Sequence, residues 1–221
     1  MKKIFLVLVI TMMLNISFAQ KLSRITLMGS SIADMITMEA DQSLLINFSN
    51  DGKIISWGIE DNWGRLLKYM GRVDYFSAND NEAFRGKVKY IGMTAITYFA
   101  SYDNEALAGK IKSIGNVKFD YNSSYDDEAI KGKIKSISAM SFTYFTSFEN
   151  ESIKGKLKSV GNTNFVYYSS VDDKVLRGKV KSIDHVNFDY YNSFDRKEYQ
   201  GAMKSGNPIQ IINGIKYYVR N

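Results

Sequence analysis

Cysteine is absent from the 221 residues, so no disulfide ties the chain together and no lipid can be carried on an N-terminal cysteine. Proline occurs once, at Pro208, which leaves long strand ladders uninterrupted. Histidine also occurs once, at His185, so neither a histidine pair for zinc nor a shared-base dyad can be assembled from this chain. The serines are plentiful, yet none sits in a nucleophile elbow, and no phosphate-binding glycine loop is present. After the first residues no apolar run approaches the roughly 18 residues a spanning helix needs. These absences predict a protein that is not an enzyme and that carries no cofactor and no metal.

What is present begins with a leader. Lys2 and Lys3 form a basic start, Ile4 to Ile10 an apolar run, and Ser17-Phe18-Ala19 a small-residue cleavage site. Residues 1–19 are therefore expected to be a signal peptide, with Gln20 opening an exported chain, periplasmic or extracellular, and association with an outer membrane left open. Removing the leader lowers the formal charge of +6 by two, too mild a balance to argue for nucleic acid. Without disulfides, stability has to come from strand pairing and burial, and 14% aromatic residues with 15 tyrosines suit that.

A glycine recurs every 23 residues, at Gly86, Gly109, Gly132, Gly155, Gly178 and Gly201, which marks a repeat architecture. In the copy opening at Gly132, Ile134, Ser136, Ser138, Met140, Phe142 and Tyr144 fall on one side of an extended chain, against a mostly polar opposite side. Each copy then reads as one long strand followed by a short helical turn, such as Asp103-Asn104-Glu105-Ala106-Leu107-Ala108-Gly109, with an aspartate cap and a terminating glycine. Apolar pairs, Tyr102 with Leu107, Tyr125 with Ile130, Phe148 with Ile153 and Val171 with Leu176, are expected to pin these turns to the sheet. An even link places Tyr121 opposite Ile134 and Phe119 opposite Ser136. The fold class expected is all-β, an antiparallel meander of 23-residue copies. A second reading breaks each copy into a hairpin at Gly115-Asn116 and Gly161-Asn162; it ranks lower because Gly92-Met93, Ser138-Ala139 and Asp184-His185 stand there in the other copies.

Around the array, residues 20–79 form an N-terminal β cap with degenerate repeats, 80–204 the array itself, and 205–221 a closing hairpin about Asn213-Gly214. Within the cap, Leu44 to Ser49 and Lys53 to Gly58 read as a hairpin whose second arm, GKIISWG, echoes the repeat, and Trp57 and Trp63 are expected to fill its core.

The aromatic pair Tyr144-Phe145, followed by GKLKS at Gly155 to Ser159 and then Gly161-Asn162, resembles membrane occupation and recognition nexus repeats, particularly their bacterial variant. The resemblance covers roughly Gly52 to Lys204. It implies an antiparallel β-array used for contact with proteins or membrane surfaces and brings no active-site residue; the second glycine-centred turn of such repeats is missing here, and the Asp-Asp-Glu-Ala turn is foreign to them. An SIGN phrase at Ser113 to Asn116 also occurs in bacterial leucine-rich repeats, but their leucine-rich strand would fall on the acidic Tyr125 to Lys131.

Lysines form two columns, Lys87, Lys110, Lys133, Lys156, Lys179 and Lys89, Lys112, Lys135, Lys158, Lys181, with Lys204 continuing the second. On a regular sheet they give a basic stripe for an anionic partner such as an envelope protein, glycan or lipid headgroup, or simply a solvated face that discourages aggregation. The tyrosine ladder Tyr98, Tyr121, Tyr144, Tyr167 and Tyr190 reads as core packing, the acidic turns as caps rather than calcium loops, and His185 as a surface position. The function expected is a non-enzymatic binding or structural module at the cell envelope. The alternative is a small outer-membrane barrel, against which stand the serines and glycines that dilute the apolar face and a C-terminus, Val219-Arg220-Asn221, without a terminal aromatic.

Overall fold

The computed structural model describes residues 20–29, 34–40 and 43–220, so the expected signal peptide lies outside the described residues. Every regular element is a strand. The first six are β1 (Lys21–Met28), β2 (Met35–Glu39), β3 (Leu44–Ser49), β4 (Ile54–Glu60), β5 (Leu66–Lys68) and β6 (Val73–Tyr75). The copies follow with β7 (Val88–Ile91), β8 (Thr94–Tyr98), β9 (Ile111–Ile114), β10 (Val117–Tyr121), β11 (Ile134–Ile137), β12 (Met140–Tyr144), β13 (Leu157–Val160), β14 (Thr163–Tyr167), β15 (Val180–Ile183) and β16 (Val186–Asn187). The chain ends in β17 (Asp189–Tyr190), β18 (Met203–Ser205), β19 (Ile209–Ile212) and β20 (Ile215–Arg220).

The meander is present, but its unit is a hairpin rather than one long strand. A two-residue turn splits each copy, pairing Ile114 with Val117, Ile137 with Met140 and Val160 with Thr163. Its first residue takes a positive φ in all copies: 60° at Gly92, 54° at Gly115, 51° at Ser138, 53° at Gly161 and 48° at Asp184. Tight hairpin turns need that conformation, because it matches the twist of the flanking strands. Ser138 and Asp184 adopt it without being glycine, which is why the motif is hidden in their copies.

Between copies the register places Tyr121 opposite Ile134, as the even link requires, but then slips, with Asp120 opposite Ser136 and Phe119 opposite Ile137. The extra residue is Lys135, and the same bulge recurs at Lys89, Lys112, Lys158, Lys181 and Lys204. A bulge reverses side-chain parity. Ile134 and Ile137, three apart, therefore both face inward, and Phe142 and Tyr144 join them on the next strand. Ile111, Ile114, Phe119 and Tyr121 repeat the pattern one copy earlier.

The expected helical turns are hydrogen-bonded turns and not a helix. In the second copy Leu107 N and Ala108 N both donate to Asn104 O, at 2.8 and 3.1 Å. The side chain that caps the turn is Asn104, not Asp103: its Oδ1 accepts from Ala106 N at 3.0 Å. The same oxygen accepts from Ser124 N of the next copy, and Asn104 Nδ2 donates to Ser124 Oγ at 2.9 Å. Asn81 with Ser101, Asp127 with Ser147, Asn150 with Ser170 and Asp173 with Ser193 repeat the arrangement, so an amide or carboxylate spine stitches copy to copy.

The array forms an 11-stranded sheet in the order β16-β15-β14-β13-β12-β11-β10-β9-β8-β7-β6, and β17 pairs with β18 beside it. A second sheet, β19-β20-β1-β2-β3-β4-β5, unites both ends of the chain, with β20 parallel to β1. The two sheets share one apolar core in which Ile25, Met38, Phe48 and Tyr217 pack with Ile111, Phe119 and Phe165 of the copies. Phe48 meets Phe119 edge-on at 5.3 Å between centroids, and Tyr217 meets Phe165 at 5.6 Å. Ile111 N donates to Gly52 O at 3.2 Å and Ile134 N to Asn50 O at 2.8 Å, bonds that join the layers directly. Sheets packed face to face bury the apolar side of each. Trp57 is partly buried, but Trp63, expected in the core, is 84% exposed.

Candidate functional site

The two lysine columns have different surroundings. Lys89, Lys112, Lys135, Lys158, Lys181 and Lys204 are the bulge residues, which turns them to solvent. Their ammonium groups lie over aromatic rings one strand away: Lys112 over Phe99 at 5.4 Å, Lys158 over Phe145 at 5.4 Å and Lys181 over Tyr168 at 5.3 Å. Lys135 has Asn122 in the corresponding place.

The other column, Lys87, Lys110, Lys133, Lys156 and Lys179, is half-buried at the junction between copies. Each ammonium sits over a tyrosine of the buried ladder: Lys87 over Tyr98, Lys110 over Tyr121, Lys133 over Tyr144, Lys156 over Tyr167 and Lys179 over Tyr190. Lys87 donates to Gly109 O, Lys133 to Gly155 O, and Lys110 to Asp51 O at 2.8 Å. Burial lowers the affinity of all five for their protons. This column is therefore largely structural, and the basic stripe is not one surface.

Midway along it the second sheet leaves a cleft of 810 Å³, lined among others by Asp34, Asp51, Lys53, Lys133, Glu151, Lys154, Lys156 and Arg177. Met28 N donates to Asp34 Oδ1 at 3.0 Å, and burial pushes the Asp34 carboxyl up against the pull of that bond and of Lys156 and Lys133. Lys53 pairs with Asp51 at 2.8 Å, and Lys154 with Glu151 at 2.7 Å, so these charges cancel locally. Arg177 Nε donates to Asp172 O at 3.4 Å. Lys156 differs from them: among the described residues its ammonium has a ring beneath it but no hydrogen bond or ion pair.

Above the same region the tyrosine ladder changes its bonding. Tyr98, Tyr121 and Tyr190 each donate to a carbonyl ten residues back, Val88 O, Ile111 O and Val180 O. Tyr144 and Tyr167, which feel the charge of Asp34, have buried hydroxyls with no hydrogen-bond partner among the described residues. The cleft thus draws on three copies and on strands far away in the chain. Lys133 and Lys156 belong to the expected stripe; Asp34, Asp51, Lys154 and Arg177 were not singled out, and only Lys53 carried a signal, in the GKIISWG echo. No family model, no curated protein and no solved structure matches this chain.

The remaining expected features are surface or cap elements. His185 is exposed in a hairpin turn. The first acid of each turn accepts from the backbone N–H three residues before it, Asp126 from Ser123 N and Asp172 from Ser169 N, both at 2.6 Å, and the second caps the turn, Asp127 accepting from Ala129 N and Asp173 from Val175 N. Tyr102, Tyr125, Phe148 and Val171 do not pin the turns: they are 86–93% exposed.

Proposed function

We propose that this chain is an exported, non-enzymatic β-repeat protein that acts as a binding module at the cell envelope, with the cleft between its sheets taking an anionic group of its partner. The observation that carries this is Lys156, a half-buried ammonium open to an 810 Å³ cleft that among the described residues has no bonded carboxylate, Asp34 attracting it only through space. A concave site with a few convergent polar groups is where ligands are held, and a partly desolvated ammonium attracts an anion more strongly than an exposed one. A carboxylate, phosphate or sulfate oxygen fits, with the Asn50 and Ser152 side chains of the same lining offering further hydrogen bonds.

The non-enzymatic part rests on how the titratable groups are used. The turn carboxylates cap backbone, the tyrosine ladder is core, and the lysines are paired with rings and carbonyls. A water-facing module is favoured over a barrel because both apolar faces meet in one core and both sheets run in open order. The likeness to membrane occupation and recognition nexus repeats adds the same expectation of a contact role.

The test is calorimetric titration of the protein with inorganic phosphate, sulfated dextran and polyglutamate at low and high salt. Salt-sensitive binding that K156Q weakens by about tenfold or more, with unfolding unchanged, supports the reading. Binding to none of the three, or binding indifferent to K156Q, contradicts it.

A further inference from the structure

The turns between copies carry a second surface, on the far side of the repeat unit from its hairpin turns. Tyr102, Tyr125, Phe148, Val171 and Phe194 occupy the same place in successive copies and are 86, 93, 93, 91 and 94% exposed. Single exposed apolar residues are ordinary, but the same position filled this way five times in line is a constructed feature. The turn itself does not need it, since Asn79 holds the corresponding position in the first copy.

The backbone that carries the row is tied down. Before each apolar residue stands a serine bonded to the preceding copy's spine, Ser124 to Asn104, Ser147 to Asp127, Ser170 to Asn150. After each stands an acid that accepts from the backbone three residues back, as Asp103 does from Ala100 N and Glu149 from Thr146 N, both at 2.6 Å. Such a surface loses little freedom when something binds it. Each copy adds two strands, so neighbouring side chains in the row stand about 9.5 Å apart, and the five span on the order of 40 Å.

We propose that this row is a docking surface for a linear, uncharged polysaccharide. The apolar side chains alternate along the chain with acids, Asp103, Glu105, Asp126, Glu128, Glu149 and Glu151. A protein partner would want an unbroken apolar centre depleted of charge. An anionic lipid surface or an anionic polymer would still meet more acids than bases around Tyr102, Tyr125 and Phe148, where Lys131 and Lys154 are already paired with Glu105, Glu128 and Glu151. A neutral sugar chain has the complementary alternation: C–H faces that stack on rings, and hydroxyls that donate to carboxylates on either side. A regular polymer matches a regular row, and each further copy engaged adds binding without new chemistry.

This inference is independent of the cleft. The experiment is native gel electrophoresis of the purified protein through gels containing hydroxyethyl cellulose, galactomannan or dextran, with alginate as the charged control. It is run beside Y125S/F148S and K156Q. Retardation by at least one neutral polymer, unaffected by salt and by K156Q and weakened about tenfold or more in Y125S/F148S, is expected. Equal urea midpoints for wild type and Y125S/F148S will show that the fold is intact, as the exposure of both side chains implies. Three results overturn the proposal: no retardation by any neutral polymer, equal retardation of Y125S/F148S, or retardation by alginate alone. It is equally overturned if what Y125S/F148S abolishes is self-association on a sizing column or flotation with anionic vesicles instead.

Discussion

Replacing the repeat glycines by alanine one at a time separates the strain of a turn from the stacking of one copy on the next. Gly86 and Gly109 have nearly the same backbone, with φ of 70° and 74°. An alanine held there pays about 1–2 kcal/mol for the left-handed conformation at either site. Their surroundings differ. A Cβ on Gly86 meets nothing within 4 Å, because no earlier copy lies behind it, whereas one on Gly109 falls 2.5 Å from Ala83 O and 2.7 Å from Lys87 Nζ. The lysine tip can swing away, but the carbonyl belongs to the preceding turn and cannot. Forcing it aside costs a further 1–3 kcal/mol or about that, as overpacking does, so G109A is expected to destabilise roughly twice as much as G86A. The intermediate sites order the series: the nearest carbonyl is 3.0 Å away at Gly155 and Gly178, 3.2 Å at Gly132 and 3.5 Å at Gly201. Urea unfolding with a common slope reads the costs directly. If G86A and G109A shift the midpoint equally, the copies do not stack turn on turn and the reasoning fails.

Other outcomes follow from the same contacts. D127A, which removes the bonds to Ala129 N and Ser147 N, should cost about 1 kcal/mol in thermal unfolding, while D127N should cost a few tenths at most, because Asn104 and Asn150 fill the same position in other copies. Asp126, Asp172, Asp80 and Glu149 are held below the usual carboxylate range by hydrogen bonds from Ser123, Ser169, Ser77 and Thr146. Their stabilisation is fully present above the unfolded value of about 4 and is lost as pH falls through the depressed folded values, so the melting temperature should drop steeply only below about pH 4. Asp34 has the opposite sign, since burial raises its folded value. D34N should therefore stabilise the protein at neutral pH, with the gain shrinking as pH falls through the raised folded value and absent below the usual carboxylate value of about 4. F119A, at a ring that is 4% exposed and touches Phe48 across the layers, should cost about 3–5 kcal/mol.

The sequence carried the period, the strand content and the antiparallel order, because a fixed glycine spacing and β-branched or aromatic alternation follow directly from how strands are built. It concealed the hairpin, since Ser138 and Asp184 adopt a conformation usually advertised by glycine. It concealed the bulge too: a lysine at position 135 looks like any outward residue, yet its insertion moves Ile137 from the polar face to the core. The acidic turns were legible as caps, although the capping side chain is the second of the pair, and that second residue also reaches the next copy, a contact 20 residues away that no local pattern displays. The cleft was least visible. Asp34 and Asp51 meet Lys133 and Lys156 only because the two ends of the chain share a sheet that lies over the array, and nothing in the period announces a second layer.

Native-state hydrogen exchange at Ile111 and Ile134 tests that second layer most directly, because both amides donate not to a neighbouring strand of the array but to Gly52 O and Asn50 O of the covering sheet. The account predicts that these two amides exchange only through global unfolding, as slowly as the most protected strand amides. Exchange as fast as that of Asn162, an exposed residue of a hairpin turn, would contradict it and leave the array with one bare face.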